Sequence, residues 1–357
     1  MKRLIYSFLL LGLCAGLQAQ NIHISGKVID AESKEPLTGA SVFAQNTTTG
    51  TITDKEGKFF IELRPGGYDL IFSYTGYQTT TTRVTDNNDS INIELQKQDN
   101  SMGEVVIKSS NKVFDGWEKY GSFFTDHFIG TTPFAAQCTL LNPEVLEFFY
   151  YRKTEKLKVL ATEPLLISNK ALGYTLRYEL DSFMYYYPTE ISSYRGYSFF
   201  TEDTAASRFE EREWKLNRSK VYYGSKLHFM RSYYDSTLKQ EGFLIDVLDE
   251  KDTTRFYRIA NPYDPDYYIA DDNTSEIEIF FPTKITVSYT RQSPEKGYLA
   301  QYALPADVKM QLSYIDIMKP VTIKGNGYYY DQKNWINQGY WSWKNIADQL
   351  PFDYEPQ

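Results

Sequence analysis

The sequence predicts a mainly β protein in which a small β-sandwich is followed by an α+β domain with an antiparallel sheet and two helical regions. Three observations support this fold class. Short alternating apolar segments, separated by turn residues, fill residues 21–96. Helical periodicity is confined to two later stretches. Aromatic residues make up 16% of the chain, with 31 tyrosines, a composition typical of broad β-sheets.

The amino-terminal segment predicts export. Lys2 and Arg3 precede an apolar run at 4–13, and small residues follow up to Ala19, as in a cleaved signal peptide. The run is shorter than the ~20 residues that cross a bilayer, so we expect no transmembrane span in the mature chain. Cys14 follows Leu13 rather than the small residue of a lipobox, which leaves lipidation and simple removal as alternatives.

We divide the chain into a signal peptide at 1–19, a sandwich domain at 20–97, a linker with a short strand at 98–110, and an α+β domain at 111–357. The formal net charge is −8, and the basic residues are scattered. Because nucleic-acid binding needs a concentrated basic face, we expect no nucleic-acid partner. After signal removal Cys138 is the only thiol, and we interpret it as a core residue rather than a nucleophile.

In the first domain, apolar and polar residues alternate as in the strands of a β-sandwich. Ile22, Ile24 and Val28 alternate with other residues, and Asp54 and Gly57 form a turn before the next apolar segment. Four motifs lie along this stretch: SGKVID at 25–30, EPLTGASV at 35–42, GTITDKEGKF at 50–59 and SYTGY at 73–77. In this succession the segment resembles the carboxypeptidase-regulatory-like domain. The resemblance implies a transthyretin-like, seven-stranded Greek-key sandwich without peptidase residues.

The linker contains a short apolar run, EVVI at 104–107. A similar stretch follows this domain in TonB-dependent outer-membrane receptors. With 357 residues the chain is too short for the plug and large barrel of such a receptor, so we do not expect receptor function.

The second domain mixes helices and strands. We predict an amphipathic helix at 112–128, with Phe114, Trp117, Phe124 and Phe128 on one stripe, and a helical region at 204–238 that breaks at Gly224. One broad apolar stripe follows that second region, made up of Phe209, Leu216, Tyr223, Leu227, Met230, Tyr234 and Leu238. Predicted strands are 145–151, 157–161, 174–187, 193–200, 243–248, 255–259, 277–281, 285–289, 298–302, 309–314 and 321–323, before a Trp-rich tail that ends in a short helix.

Residues 111–357 also resemble an uncharacterised domain that accompanies the carboxypeptidase-regulatory-like domain in exported proteins of Gram-negative bacteria. The motifs are GTTP at 130–133, LNP at 141–143, ALGY at 171–174 and ADQLPFDY at 347–354, with Asn217-Arg218 and His228-Phe229 between them. No activity comes with this resemblance.

Catalytic motifs are missing from the sequence. His23, His127 and His228 are the only histidines, and none lies in a His-Glu-x-x-His frame, which disfavours a zinc peptidase. If a dispersed hydrolase site existed, His228 would be the best base, with Arg218 and Arg231 nearby. The alternative is a histidine packed where a helix meets a sheet and hydrogen-bonded to the backbone.

Carboxylates suggest two further sites. Asp264, Asp266, Asp271 and Asp272, with Asn273, form a loop with the oxygen-rich composition that calcium prefers, but their spacing matches no defined calcium loop. We therefore interpret the loop as a solvated turn between two strands, with calcium binding as the alternative, and expect no cofactor. A glycosidase pair could be drawn from Glu210, Glu211, Asp246 or Asp249, but such a pair is defined by spacing in the fold.

Aromatic residues suggest a ligand-binding surface. Tyr185, Tyr187, Trp341 and Trp343, together with His228, are our candidate ligand-binding residues, and a sugar-binding platform would require the four aromatic rings to be coplanar and exposed.

We therefore predict an exported, non-enzymatic binding or adaptor protein of the bacterial cell envelope, located in the periplasm or at the outer membrane, with a protein or glycan partner. The alternative is a hydrolase with a dispersed active site in residues 111–357. Convergence of His228, Arg218 and Asp246 in one cleft would favour the hydrolase.

Overall fold

The computed structural model describes residues 21–84, 90–98, 111–252, 254–271 and 273–356. The predicted signal peptide with Cys14, the short strand at 104–107 and Asp272 lie outside the described residues.

Seven strands form the amino-terminal sandwich. They are β1 (Ile22–Asp30), β2 (Ser41–Ala44), β3 (Gly50–Ile52), β4 (Lys58–Leu63), β5 (Tyr68–Ser73), β6 (Thr80–Val84) and β7 (Ile91–Leu95). One sheet has the order β4-β1-β7 and the other β3-β2-β5-β6, and β7 lies parallel to β1. In β4 every second side chain is buried, as expected for a strand with one face on a core. The predicted sandwich is confirmed.

A seven-stranded sheet forms the second body, here called the large-sheet body. Its elements are β8 (Lys112–Val113), α1 (Gly116–Phe128), β9 (Cys138–Leu140), β10 (Leu146–Tyr151), β11 (Lys156–Ala161), β12 (Leu165–Asn169), β13 (Tyr174–Tyr186) and β14 (Ile191–Glu202). The strand order is β8-β10-β11-β13-β12-β9, and β14 pairs with β13. All the pairings are antiparallel.

The first predicted helix begins later than expected. Residues 112–113 form β8, because Val113 pairs with Phe148 of β10, and α1 starts only at Gly116. As a result Phe114 is 90% exposed and Trp117 is also exposed, while Phe124 and Phe128 are buried as predicted. Strand pairing at the sheet edge therefore overrides the helical periodicity of the first residues.

The second predicted helical region consists of α2 (Arg208–Tyr222), α3 (Lys226–Tyr234) and α4 (Leu238–Glu241). Gly224, with φ +82°, breaks the region as predicted. The predicted stripe on α2 is wrong, since Phe209 is 70% and Leu216 57% exposed. The helix instead buries the face of Trp214, whose indole N–H donates to the carbonyl of Lys170 at 2.8 Å.

The third body, called the carboxyl-terminal body, extends from α3 to the end of the chain. Its other elements are β15 (Phe243–Leu248), β16 (Phe256–Arg258), β17 (Tyr268–Asp271), β18 (Glu276–Ile279), β19 (Ile285–Tyr289), α5 (Lys296–Gln301), β20 (Gln311–Ile317), β21 (Val321–Ile323), β22 (Trp335–Gly339) and α6 (Tyr340–Trp343). Two sheets result, β16-β15-β19-β20-β22 and β17-β18-β21. The strand predicted at 298–302 is wrong, because α5 occupies it and buries Tyr298 and Leu299 together.

The described residues form three hydrophobic cores, so the region predicted as one α+β domain has two centres of packing. The core of the large-sheet body also takes in residues of the carboxyl-terminal body, among them Tyr328, Ile346 and Phe352. The sandwich docks directly on the large-sheet body. The amide of Asn46 donates to the carbonyl of Ser198 at 2.7 Å, and the amide of Phe200 donates to the carbonyl of Thr47 at 2.9 Å. The amide of Phe352 then donates to Asn46 at 2.7 Å. One loop of the sandwich thus joins β14 to the carboxyl-terminal tail.

Candidate binding cleft

The three bodies surround a cleft of about 1710 Å³. The sandwich contributes the loop between β5 and β6, the large-sheet body contributes β13 and β14, and the carboxyl-terminal body contributes the start of α3 together with β22 and α6. Pockets for small ligands usually measure about 300–1,000 Å³. The larger volume suits part of a polymer, such as a peptide segment or an oligosaccharide.

Direct hydrogen bonds between the bodies set the shape of the cleft. The Ser73 hydroxyl donates to Glu179 Oε1 at 2.9 Å, and the Ser198 hydroxyl donates to Asn46 Oδ1 at 2.6 Å. On the carboxyl-terminal side Asn326 Nδ2 donates to the carbonyl of Gly67 at 3.1 Å. Because each bond joins the sandwich to another body, the cleft is preformed in the folded chain.

The charges of the cleft balance. Seven acidic and seven basic side chains line it, and several are paired with each other. Arg177 lies 2.8 Å from Glu179, and Arg195 lies 3.1 Å from Asp181. Because the formal charges of the lining residues sum to zero, the net charge of the cleft favours neither anionic nor cationic ligands.

A cluster of three charged side chains lies at one end of the cleft, with Asp348 buried and Lys344 and Glu295 half-buried. Lys344 contacts Glu295 and lies 3.0 Å from Asp348 Oδ1, and Thr132 donates to Asp348 Oδ2 at 2.6 Å. Burial alone would lower the pKa of Lys344, but the neighbouring carboxylates outweigh it and raise that pKa above the ordinary value. Lys344 therefore stays protonated, which disfavours it as a nucleophile or base and suits it to tie α6 to the large-sheet body through Asp348 and Thr132.

His228 lies on α3, and its ring packs against Phe243 of β15 and Tyr289 of β19. Its Nδ1 accepts the N–H of Gly224 at 3.2 Å, and its Nε2 lies 3.2 Å from Glu241 Oε2. A neutral ring with the proton on Nε2 satisfies both partners. Burial lowers the pKa of His228 to about 4, against the opposing pull of Glu241. Both nitrogens are thus engaged, as in the structural alternative given for this residue, and His228 is not among the cleft-lining residues.

The other candidates for a dispersed hydrolase site bind partners of their own. Arg218 donates to the carbonyl of Leu172 at 2.7 Å and stacks on the ring of Tyr174. Asp246, in the middle of β15, accepts from Arg258 of the neighbouring β16 at 2.6 Å. In the described ranges no hydrogen bond or ion pair connects Arg218, Asp246 and His228, so the convergence that would favour a hydrolase is not found.

The four candidate aromatic residues occupy three different settings. Tyr185 is buried beside Phe123, with ring centroids 4.7 Å apart, and Tyr187 is half-buried next to it. The Trp341 indole N–H donates to the carbonyl of Gly224 at 2.8 Å. The Trp343 indole N–H donates to Gln301 at 2.9 Å.

The exposed coplanar platform considered for sugar binding is therefore wrong. Tyr185, Trp341 and Trp343 each have less than a tenth of their surface exposed, because Tyr185 packs in the core of the large-sheet body and the two tryptophans pack in the core of the carboxyl-terminal body. Of the four rings, only Trp341 lines the cleft.

In the acidic loop, the carboxylates of Asp264 and Asp271 accept hydrogen bonds from backbone amides of the loop itself. Asp264 Oδ1 accepts the amide of Asp266 at 3.1 Å, and Asp271 Oδ1 accepts the amide of Asn273 at 2.9 Å. Among the described residues, no group of three or more Asp, Glu, His or Cys side chains is placed to hold a metal ion. These bonds account for Asp264 and Asp271 as turn residues, and the calcium alternative stays untested.

Sequence reasoning missed two features of the cleft. Gln311 lines it and is 5% exposed, and its amide oxygen is buried without a hydrogen-bond partner. The second is the outer edge of β14, which opens into the cleft along 192–198. A lone glutamine carries no sequence signal, and a strand edge is defined only by which strands pair with it.

Comparison with known proteins identifies the first domain. Residues 24–107 match the family model of the CarboxypepD_reg-like domain, so the chain carries this domain at its amino-terminal side. The match confirms the resemblance read from the four sequence motifs. For residues 111–357 the resemblance to an uncharacterised domain remains a prediction.

The relatives share only this part of the chain. TonB-dependent receptor P3 of Formosa agariphila is 31% identical over 107 residues, which is 30% of this chain and 10% of the receptor. TonB-dependent receptor SusC of Bacteroides thetaiotaomicron is 36% identical over 89 residues, 25% of this chain and 8% of the receptor. The chain thus covers a tenth or less of the length of these relatives.

Two solved structures show distant likeness. The carboxyl-terminal domain of the shaft pilin SpaA from Lactobacillus rhamnosus GG is 17% identical, with a TM-score of 0.19 over 22% of this chain and 99% of that one. A putative membrane-associated protein of unknown function from Bacteroides fragilis is 14% identical, with a TM-score of 0.18 over 45% and 64% of the two chains. At these TM-scores we draw no conclusion from either. Every helix in the described ranges is too short or too polar to cross a bilayer.

Proposed function

We propose that this chain is a non-enzymatic binding protein of the bacterial cell envelope, which holds a protein or glycan ligand in the cleft between its three bodies. The cleft of about 1710 Å³ is the observation that carries the proposal. Hydrogen bonds between the bodies hold it open, and a preformed site avoids the entropic cost of ordering on binding.

The envelope location rests on two supports. The amino-terminal sequence has the pattern of a signal peptide, and the CarboxypepD_reg-like domain is similar to a segment of TonB-dependent receptors. We propose that the mature chain resides in the periplasm or is associated with the outer membrane.

The hydrolase alternative has less support. It needs a base that can take a proton near neutral pH and that lies within reach of a substrate. His228 has both ring nitrogens engaged and a pKa lowered to about 4, and Lys344 is held in its protonated form by two carboxylates. Neither group suits general-base catalysis in the cleft.

A binding experiment with cleft-filled variants tests the proposal. Ser293 and Thr75 are exposed and line the cleft from opposite bodies, so Ser293→Trp and Thr75→Trp add bulk there without disturbing a core. Ser33→Trp, at an exposed turn of the sandwich outside the cleft, is the matched control. Saturable binding to envelope extract is measured by biolayer interferometry, with a protease-digested glycan fraction and a deglycosylated protein fraction assayed separately.

We expect the wild type and the control to bind one fraction and both cleft variants to lose that binding. Equal binding by all four proteins, or binding by none, would refute the proposal. Turnover of a component of the extract, detected by mass spectrometry and abolished by a cleft variant, would establish the hydrolase instead.

A further inference from the structure

The outer edge of β14 is only partly covered. Its inner edge pairs with β13 along nearly its whole length. On the outer side, the Ser198 carbonyl accepts from Asn46 and the Phe200 amide donates to Thr47, and Thr47 pairs with Phe199 in parallel orientation. The carboxyl-terminal part of this edge therefore already accepts a strand-like segment.

The remaining part of the edge is open. Backbone groups of successive residues in a strand point to opposite edges, so if Ser198 and Phe200 face outward, then Ser192, Tyr194 and Gly196 do as well. Within the described ranges, no backbone group pairs with the outward N–H and C=O groups of these three residues. Ser192 is also exposed.

The open edge lies inside the cleft, since residues 192–198 all line it. Proteins usually cover a strand edge or disrupt it with charge, proline or a bulge, because it templates pairing with another chain. Here the one charge on the open stretch, Arg195, is paired with Asp181. The register shift between Leu180 and Ser182 lies on β13, and the pairing of β14 continues on both sides of it. The outward N–H and C=O groups of β14 alternate along the edge at the spacing of a strand. The backbone of an extended peptide carries the same groups at the same spacing and can therefore pair with them.

We propose that an extended segment of a protein partner adds to the cleft as a strand, pairing with β14 at Ser192, Tyr194 and Gly196. The proposal rests on the function proposed above and names the ligand as peptide. The main support is that the neighbouring part of the same edge already pairs with an extended segment. The sandwich loop at Asn46 and Thr47 hydrogen-bonds to Ser198 and Phe200 there.

The surroundings of the edge define the chemistry of the segment. On one face the exposed pair Arg195 and Asp181, 3.1 Å apart, offers polar contacts. On the other face the half-buried ring of Tyr194 packs edge-on to Phe128, with centroids 5.0 Å apart. Side chains of an added strand alternate between the two faces, so the segment alternates polar and apolar residues.

A proline at Ser192 tests the edge directly. Ser192→Pro removes an outward N–H and leaves the bonds to β13 in place, which an edge strand tolerates. Ser192→Ala keeps the N–H and is the matched control. The probe is the tryptic peptide mixture of the deglycosylated envelope protein fraction, and the readout is affinity for the immobilised full chain.

We expect Ser192→Pro to weaken binding by at least about tenfold, since a hydrogen bond is lost and the ring blocks close approach, while Ser192→Ala binds like the wild type. Thermal unfolding of both variants checks that the fold is kept. Equal binding by the proline and alanine variants would overturn the proposal.

Amide exchange by NMR provides a second measurement that does not depend on a variant. The amides of Ser193 and Arg195 face β13 and should exchange slowly with or without the probe. Those of Ser192, Tyr194 and Gly196 should exchange fast in the free chain and slow down on binding. If they are already slow in the free chain, or stay fast in the complex, the edge is not the docking site.

The outcomes separate the two proposals. Binding of the glycan fraction alone, abolished by Ser293→Trp and Thr75→Trp but unaffected by Ser192→Pro, would overturn the edge proposal and leave the cleft as the binding site. Binding that survives both cleft-filling variants would refute the proposed function itself.

Discussion

The buried histidine makes a prediction about pH. In the folded chain the pKa of His228 is lowered to about 4, chiefly by burial, whereas in the unfolded chain it returns to about 6.5. Between these values the unfolded chain binds a proton that the folded chain does not. The free energy of unfolding therefore falls as the pH drops through 6.5 and levels off below about 4.

The size of this effect follows from the two pKa values. Lowering the pKa from 6.5 to about 4 corresponds to about 3 kcal/mol of stability at neutral pH that is lost in acid. The local geometry agrees, because a proton on Nδ1 would place a second N–H against the N–H of Gly224, which now donates to that nitrogen at 3.2 Å. The folded state can accept the proton only by breaking this contact.

Urea unfolding at a series of pH values measures the effect, with His228→Gln as the variant that does not titrate. The variant will be less stable at every pH. The informative quantity is therefore the difference in the free energy of unfolding between the wild type and the variant, followed as a function of pH. We expect this difference to shrink by about 3 kcal/mol between pH 7 and pH 4. A flat difference would refute the assignment of His228 as a buried neutral group. Glu241→Gln should leave the onset near pH 6.5 unchanged and extend the fall to lower pH, since Glu241 raises the pKa of His228 only in the folded chain.

Three further predictions concern stability and reactivity. Gly224→Ala should lower the free energy of unfolding by about 3 kcal/mol, because φ is +82° and a Cβ would lie 2.6 Å from two side chains. Gly39→Ala, with φ +79° in open space, should cost only about 1 kcal/mol, and equal losses in urea unfolding would contradict the steric argument. Burial raises the pKa of Cys138 to about 12, so iodoacetamide at pH 8 should label it far more slowly in the native than in the unfolded chain; comparable rates would contradict this. Phe199→Ala removes a ring between the sandwich and the large sheet and should cost about 2 kcal/mol, whereas Phe60→Ala, at an exposed position, should stay within about 0.5 kcal/mol; similar losses in the two variants would show that the docking contact adds no stability.

The cleft connects these observations to function. Gly224 lies where its amide meets His228 and its carbonyl meets the indole of Trp341, so the cleft wall depends on one left-handed glycine. The His228 and Gly224 variants thus also report on the integrity of the cleft. Losses of binding in such variants must be compared with their losses of stability before they are assigned to ligand contacts.

Local chemistry made several elements predictable from the sequence. In β4, alternation of apolar and polar residues over six positions gives one buried and one exposed face, and the turn at Asp54 and Gly57 supplies its own hydrogen bonds, with Lys58 N–H donating to Asp54 Oδ1 at 2.8 Å. Gly224 marked the helix break for a similar reason, since positive φ is favourable only without a Cβ. Each of these features depends on residues close in sequence.

Where the local sequence pattern is compatible with both a helix and a strand, tertiary contacts determine which of the two forms. Residues 112–113 follow a helical period but pair with β10, and 298–302 alternate like a strand but form α5. The face of α2 that is buried is set by Trp214 reaching Lys170, a residue 44 positions away. Apolar periodicity in the sequence indicates that a helix or strand has an apolar face. Which face is buried depends on the element that packs against it.

The sequence by itself therefore determined the CarboxypepD_reg-like sandwich and the mainly β character, because these depend on composition and short-range alternation. The export signal at residues 1–19 stays a prediction. Only the tertiary structure decided that Asn46 meets Ser198 across 152 residues, that Lys344 lies between Glu295 and Asp348, and that half of the β14 edge stays open in a cleft. The cleft exists because separate cores dock against one another, and no short-range pattern encodes where those surfaces meet.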